Sequence, residues 1–294
     1  MKPLVATAWP RAGLLGNPSD LYGGKGIGFV FHNWCAEVRF QSGSGCDDNS
    51  LLEAAIEEFS ARSGKPVASG CLLGNSNIPR QVGLAGSSAL VIAALRVLSG
   101  IHKVDWSASQ LAECAWAVEN DRLGIVSGPM DRLIQAHQGL LVMDFADHAE
   151  ERLSPSLLPE MRILVDSQTG QVSGDVHARI HTRFHQGDAE VCEVVAQYRP
   201  LVERGLLALL EGDLEVLADC VDKNFDLRAS LYPISTRDLE MIAGVRDCGA
   251  AAKFCGSGGA VLAVARAGVD FVGLAAKARD SGWDIVVPQV EPSA

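Results

Sequence analysis

The chain has 294 residues, of which 48% are hydrophobic and 21% charged, and its formal net charge is −11. This composition is typical of a soluble globular protein that is long enough for two ordinary domains. The acidic balance argues against nucleic-acid binding, which requires a basic surface. A local group of backbone amides and cations can still bind an anionic ligand in such a protein.

The predicted elements of the first half are strands at 4–8 and 27–31, a loop at 43–49, helices at 50–62 and 87–98, a helix before Glu119, a helix at 131–137 and a strand at 140–145. The helix over 87–98 is apolar on all sides and is therefore expected to be buried. Ser107 and Gln110 have the spacing of a capping box and predict the start of the helix that ends near Glu119.

Residues 154–159 (SPSLLP) form the best candidate domain boundary, and we expect domains at 1–155 and 156–294. The second half is predicted to contain a strand at 163–165, helices at 173–186, 188–211, 213–230 and 235–248, a strand at 260–265, a helix at 270–281 and a strand at 284–287. Pro200 should interrupt the second of these helices. Strands and helices in this order indicate a two-domain α+β or α/β protein.

The location of the protein is predicted from three absences in its sequence. No secretory signal is visible at the N-terminus. The most hydrophobic long window, residues 254–276, contains Arg266 and Asp270, so it does not predict a membrane span. The eight cysteines are scattered, and we expect reduced thiols rather than a disulfide framework or a zinc site. These observations predict a cytoplasmic protein without a membrane partner.

The most informative segment is residues 83–89 (GLAGSSA), which leads directly into the predicted buried helix. Glycines and serines at a helix start leave backbone N–H groups unpaired and aimed at one point, with the positive end of the helix dipole behind them. A phosphate group is the natural occupant of such a point. The alternative is a serine-capped buried helix that follows a turn.

Three further segments have residues suited to binding phosphate or metal. They are residues 11–20 (RAGLLGNPSD), Glu119 followed by Asp131 twelve residues later, and residues 253–259 (KFCGSGG). Standard nucleotide motifs are absent, because Gly24-Lys25 is followed by glycine rather than serine or threonine, and Gly43-Ser44-Gly45 lacks the third glycine of a dinucleotide fingerprint.

In this order and spacing, the four segments resemble the GHMP kinases, and the resemblance covers most of the chain. Residues 11–20, 77–89, 224–228 and 252–260 are most similar to the glucuronokinase branch, although Cys255 stands where many members have threonine. The resemblance implies an α+β fold of two domains, an N-terminal one like domain 2 of ribosomal protein S5 and a ferredoxin-like C-terminal one. ATP and the acceptor would meet in the cleft between them.

The resemblance also implies roles for the nucleotide-binding residues. Ser88 and Glu119 would hold Mg²⁺, which accepts one or two protein oxygens beside phosphates and water. Taken alone, Glu119 would be a solvated carboxylate at a helix end. The residues implied to bind ATP are Pro79, Gly83, Leu84, Ala85, Gly86, Ser87, Ser88 and Ala89.

For the chemistry itself, Asp131 is the candidate base and Arg11 the cation beside it. Taken alone, Asp131 would be the N-cap of a helix and Arg11 a solvated side chain. The candidate substrate-binding residues are Asn17, Asp20, Lys25, Arg228, Gly256, Ser257 and Gly258. A sugar acid requires a cation for its carboxylate, for which Arg228 is preferred over Lys25 and Arg132. Asp20 could instead serve only to form a turn.

His177, His181 and His185 lie four residues apart on a predicted helix, which is typical of a solvated face and less often of a metal site. His177 could instead border the substrate. The function expected from the resemblance is ATP-dependent phosphorylation of the anomeric hydroxyl of glucuronate. The alternatives are a GHMP kinase for a related uronate, a neutral sugar or a heptose phosphate, a non-catalytic ligand sensor on the same fold, and an unrelated α/β enzyme. The oligomeric state is not predicted.

Overall fold

A computed structural model describes residues 4–43, 49–67, 70–168 and 174–290, except for the side chains of 174–177. It contains eleven strands and ten α-helices in these ranges. The strands are β1 (Val5–Ala8), β2 (Arg11–Leu15), β3 (Lys25–Val30), β4 (Ala36–Ser42), β5 (Gly70–Ser76), β6 (Leu140–Asp144), β7 (Ala149–Leu153), β8 (Met161–Val165), β9 (Ala251–Phe254), β10 (Ala260–Val264) and β11 (Asp284–Val286).

The helices are α1 (Ser50–Ser63), α2 (Gly86–His102), α3 (Ala108–Ala117), α4 (Met130–His137), α5 (Gly174–His185), α6 (Ala189–Ala196), α7 (Tyr198–Glu211), α8 (Leu214–Leu231), α9 (Thr236–Asp247) and α10 (Val272–Ser281). Local capping explains several of these bounds. The Asn49 side chain accepts from the first amides of α1, and Gly64 ends that helix in the left-handed region. The predicted capping box of Ser107 and Gln110 is present.

The strands form three antiparallel sheets. Two of them, with orders β1-β4-β5 and β2-β3-β6-β7, come from residues before 154, and the third, β11-β8-β10-β9, comes from residues after 160. Helix α2 is buried in the main core, as its sequence predicts. The predicted domain boundary at 155 lies between β7 and β8, and the division into domains stays a prediction.

Five strands of the structure were not predicted from the sequence: β2, β4, β5, β7 and β9. Strand β2 has no alternation of apolar and polar residues because all five of its side chains are buried. The predicted helix over 188–211 is divided at Gln197, and Pro200 lies in the first turn of α7, where its missing N–H costs no hydrogen bond. Most of the predicted loop at 43–49 lies outside the described residues.

One prediction about the cysteines is wrong. Cys71 is disulfide-bonded, so the chain does not carry reduced thiols alone. Cys35, Cys114, Cys192, Cys220, Cys248 and Cys255 are free. Cysteine spacing carries no signal for such a bond, because the geometry that permits it is set by the tertiary fold. Among the described residues, no helix is both long enough and apolar enough to cross a membrane.

Candidate active site

A cavity of about 220 Å³ lies where the N-terminal sheets meet the C-terminal half of the chain. It brings together residues from all four segments that the sequence analysis singled out. The predicted residues that line it are Arg11, Asn17, Asp20, Gly83, Ala85, Ser88, Glu119, Asp131, Arg228, Gly256 and Ser257. Distant segments therefore converge on one small volume, which is typical of a binding or catalytic site.

Arg11 and Asp131 form a two-point ion pair across this cavity. The guanidinium nitrogens Nε and Nη2 donate to the two carboxylate oxygens, each at 2.6 Å. Arg11 is buried, whereas 26% of the Asp131 side chain is exposed. Burial lowers the pKa of Arg11, but pairing with Asp131 outweighs it, so the pKa lies above its ordinary value. The N-cap of α4 is Pro129, so the alternative interpretation of Asp131 as a helix cap is wrong.

The glycine-rich loop before α2 is held in place from two sides. Arg11 Nη1 donates to Gly83 O at 2.7 Å, and Gln135 Nε2 donates to Ala85 O at 3.0 Å. Gly83 and Ala85 both have positive φ, at 70° and 58°, and α2 begins directly afterwards. The Ser87 and Ser88 amides at the helix start have no intrahelical acceptor, which suits an anion.

Glu119 and Ser88 are both buried on the cavity wall. Glu119 lies in a π-helical turn, Val118–Arg122, at the end of α3, and its Oε1 atom has no hydrogen-bond partner. Its other oxygen, Oε2, contacts Arg132. An orphaned carboxylate oxygen and a serine hydroxyl on one cavity wall are the hard oxygen ligands that Mg²⁺ prefers. The interpretation of Glu119 as a solvated carboxylate is wrong.

Asp20 lies in a short 3₁₀ helix, Ser19–Tyr22, and accepts a hydrogen bond from Met130 N at 3.3 Å. Burial raises its pKa to about 6, and the negative charge of Asp131 acts in the same direction. Asp20 and Asp131 are therefore carboxylates of one site in different surroundings. Asp131 is paired with a guanidinium, whereas no guanidinium or lysine of the described residues forms an ion pair with Asp20.

Arg228 reaches the cavity from α8. Its side chain is buried and lies over the rings of Tyr232 and Phe254, with Cζ at 4.9 and 5.5 Å from their centroids. Nη2 donates to Ser257 O at 3.0 Å, and Nε has no partner. Within the described part of the chain, no carboxylate forms an ion pair with this guanidinium. Burial lowers the pKa of Arg228 below its ordinary value.

Several predicted residues do not line this cavity. Lys25 points away and pairs with Glu203 at 2.9 Å and Asp144 at 3.4 Å. The His181 and His185 rings lie 3.0 Å apart at Nε2, and the His177 side chain lies outside the described residues. In the ranges described, no cluster of three potential ligands could hold a metal. The other predicted residues away from the cavity wall are Pro79, Leu84, Gly86, Ser87, Ala89 and Gly258.

Lys253 and Asn224 are two polar residues at this site to which the sequence analysis assigned no role. Both are buried, and both bond to the loop that carries Asn17. They belong to segments 252–260 and 224–228, which carry the family resemblance. A charged residue inside an otherwise apolar strand, Ala251–Phe254, is the signal that could have identified Lys253.

Comparison with known proteins agrees with this geometry. Residues 50–139 match the family model described as the GHMP kinases N terminal domain. Glucuronokinase 1 of Arabidopsis thaliana is 30% identical, covering 97% of this chain and 92% of its own length. Probable glucuronokinase 2 of the same plant is 31% identical, over 87% of this chain and 82% of its own.

The fold is also similar to that of solved kinase structures. A Lactococcus lactis galactokinase solved in complex with galactose superposes with a TM-score of 0.82, covering 97% of this chain and 93% of its own, at 14% identity. That likeness shows the two-domain α+β fold. The match to the two Arabidopsis proteins covers 87% and 97% of this chain, and the cavity is built from the segments that carry the resemblance. The chain belongs to the GHMP kinase family.

Proposed function

We propose that this ATP-dependent sugar kinase transfers the γ-phosphoryl group of ATP to the anomeric hydroxyl of glucuronate, which gives glucuronate 1-phosphate. Kinases of the GHMP family use ATP, and two relatives at about 30% identity are named as glucuronokinases. The observation that carries the choice of acceptor is Arg228. It is a buried guanidinium on the cavity wall with a spare donor and no carboxylate partner among the described residues.

Burial of a cation without a counter-ion destabilises the folded protein, unless a ligand supplies the opposite charge. A guanidinium presents paired N–H donors that match the two oxygens of a carboxylate. Nη2 of Arg228 donates one N–H to Ser257 O and Nε has no partner, so the guanidinium keeps N–H donors for an acid group. Asp238 acts on Arg228 electrostatically, but its oxygens accept from Gly259 N and the Ser235 hydroxyl. A sugar acid therefore suits this cavity better than a neutral sugar.

In the proposed mechanism, Asp131 accepts the proton of the acceptor hydroxyl as the phosphoryl group is transferred. Arg11 holds this carboxylate by two hydrogen bonds and places a permanent positive charge beside the reacting oxygens. The same guanidinium bonds to Gly83 O, so the base and the phosphate-binding loop are aligned by one side chain. Asp20, on the adjacent wall, would accept hydrogen bonds from other hydroxyls of the sugar.

The loop at Gly83–Ser88 would bind the ATP phosphates through its backbone amides. Ser88 and Glu119 would hold Mg²⁺ with the nucleotide. The ion, when bound, neutralises charge on the phosphates. Arg132 contacts Glu119 and lies on the same wall. Because Arg132 contacts the carboxylate that would hold Mg²⁺, binding of the ion would change the surroundings of this guanidinium.

The test is coupled ATP turnover with glucuronate, galacturonate, galactose and glucose, using wild type and Arg228→Met. A charged hydrogen bond is worth about 1.5–3 kcal/mol, so the variant should lose about 10- to 150-fold in kcat/KM for glucuronate. The kcat/KM for neutral sugars should fall by a smaller factor than the kcat/KM for glucuronate. Equal losses on acidic and neutral sugars, or no turnover of glucuronate by the wild type, would refute the assignment of the acceptor.

Two control variants make the test specific. Arg162 also lies over a phenylalanine ring, Phe271, at 4.5 Å, but it is paired with Glu160 and lies off the cavity wall. Arg162→Met should therefore leave the glucuronate KM unchanged. Lys25→Met tests one of the two other cations proposed from the sequence, and the salt bridges of Lys25 to Glu203 and Asp144 predict the same absence of effect.

A further inference from the structure

Lys253 is the most deeply buried cation that the proposed mechanism does not use. Its side chain is 1% exposed, and within the described residues no carboxylate forms an ion pair with it. Burial lowers the pKa of Lys253 below its ordinary value, and the charges of Arg228 and Arg11 act in the same direction. A buried ammonium without a counter-ion costs stability, and an apolar side chain would fill the same space at lower cost.

The ammonium nonetheless has three well-placed acceptors. It donates to Gly13 O at 2.6 Å, Asn17 Oδ1 at 2.7 Å and Phe254 O at 2.7 Å. All three N–H donors of a lysine are thereby satisfied. The acceptors belong to β2, to the loop after β2 and to β9, so one side chain joins the N-terminal and C-terminal halves directly behind the cavity wall.

Asn17 is the acceptor that faces the cavity. An ammonium can only donate, so it selects the oxygen end of the Asn17 amide. The nitrogen end is then directed to Gly256 O, at 3.3 Å. Asn224 holds the backbone of the same loop by accepting from Gly16 N and donating to Asn17 O. The Asn17 amide packs closely against Gly13, because a Cβ on that glycine would lie 2.8 Å from Asn17 Oδ1. The amide therefore has little space for another orientation.

We propose that Lys253 is a positioning residue for phosphoryl transfer. It fixes the Asn17 amide and holds the Gly256 loop against β2. The acceptor side of the cavity is thereby assembled from both halves of the chain. Lys253 acts through Asn17 and touches no reacting atom. The inference rests on the proposed function only in that the acceptor binds beside Asn17. Among the described residues, no hydrogen bond joins Lys253 to the nucleotide side at Gly83–Ser88, and the Gly256 loop meets that side at Gly83, so nucleotide binding should change by less than acceptor binding.

The experiment is a double-mutant cycle with Lys253→Met, Asn17→Ala and the double variant. Each single change should lower kcat/KM for the acceptor by about tenfold or more, while the Kd for MgATP changes by less than about twofold. The double variant should be no worse than about twofold below the poorer single variant, because both changes break one network. Lys253→Gln keeps a donor for Asn17 Oδ1 and should recover part of the loss.

Arg96→Met is the matched control. Arg96 is a partly buried cation that donates to the backbone carbonyls of Thr7, Gln135 and Ala136. Burial lowers its pKa to about 10, and it lies off the cavity wall. Its loss should lower the urea midpoint of unfolding without changing the acceptor KM.

Three results would overturn the proposal. They are independent losses that multiply in the double variant, a loss of MgATP affinity equal to that of acceptor affinity, and no recovery with glutamine. The proposed function fails by a different result, which is a wild type that does not phosphorylate glucuronate. The cycle is then measured with whichever sugar of the panel is phosphorylated. With no active sugar, additive effects of the two changes on the urea midpoint would refute the network.

Discussion

Replacement of Asp20 by asparagine should stabilise this protein while weakening its activity. Asp20 accepts a hydrogen bond from Met130 N, and an asparagine oxygen can accept the same bond. The variant removes only the negative charge, which burial and the neighbouring Asp131 disfavour. Groups that bind ligand are often retained at a cost in stability.

The size of the effect follows from the pKa of Asp20, which is raised from 3.8 to about 6. At about 1.4 kcal/mol for each pH unit, this difference limits the gain in the free energy of unfolding to about 3 kcal/mol at neutral pH. The folded state binds the proton more tightly than the unfolded chain does. The contribution of Asp20 to wild-type stability should therefore fall as pH rises from about 4 to about 6, so the stability advantage of Asp20→Asn should grow over that range.

The assay is urea unfolding of both proteins between pH 4 and 8, with turnover measured at pH 7.5. Asp144→Asn is the control of opposite sign, because hydrogen bonds from Arg199 lower the pKa of Asp144 below its ordinary range. That variant should be less stable than wild type at neutral pH, with the difference fading as pH falls. A stability difference for Asp20→Asn that is absent, or independent of pH, would show that the carboxylate is not disfavoured in the fold.

Two further changes test the centre of the site. Asp131→Asn should lower kcat by about 10²- to 10⁴-fold and cost up to about 3–5 kcal/mol of unfolding free energy, because Arg11 stays buried without its partner. Single-turnover kinetics and urea unfolding measure the two effects, and a near-normal kcat would exclude this carboxylate as the base. Gly256→Ala should abolish turnover, since the new Cβ would collide with Gly83 O and lie 2.6 Å from the guanidinium of Arg11. Gly273→Ala, in α10 with no atom within 4 Å, is the control and should retain wild-type turnover with a midpoint no lower than that of wild type.

The sequence alone was sufficient to predict the family and the ordered set of segments around the cavity. Glycine-rich loops and helix starts are local features, in which neighbouring residues supply the backbone geometry and the caps. The capping box at Ser107 and the buried α2 were predicted correctly for that reason. Strands were predicted less well, because a strand buried on both faces, such as β2, has no alternating pattern.

The tertiary structure decided which side chains meet, although the family resemblance had already implied that Arg11 lies beside Asp131. Arg11 and Asp131 are 120 residues apart, and Lys253 bonds to Gly13 across 240. The tertiary structure also distinguished two candidate cations. Arg228 lines the cavity, whereas Lys25 forms an ion pair with Glu203 and does not line it. The physical reason is that a side chain's partners depend on how sheets and helices pack. Packing is set by the whole core, whereas local sequence determines only the elements that are packed.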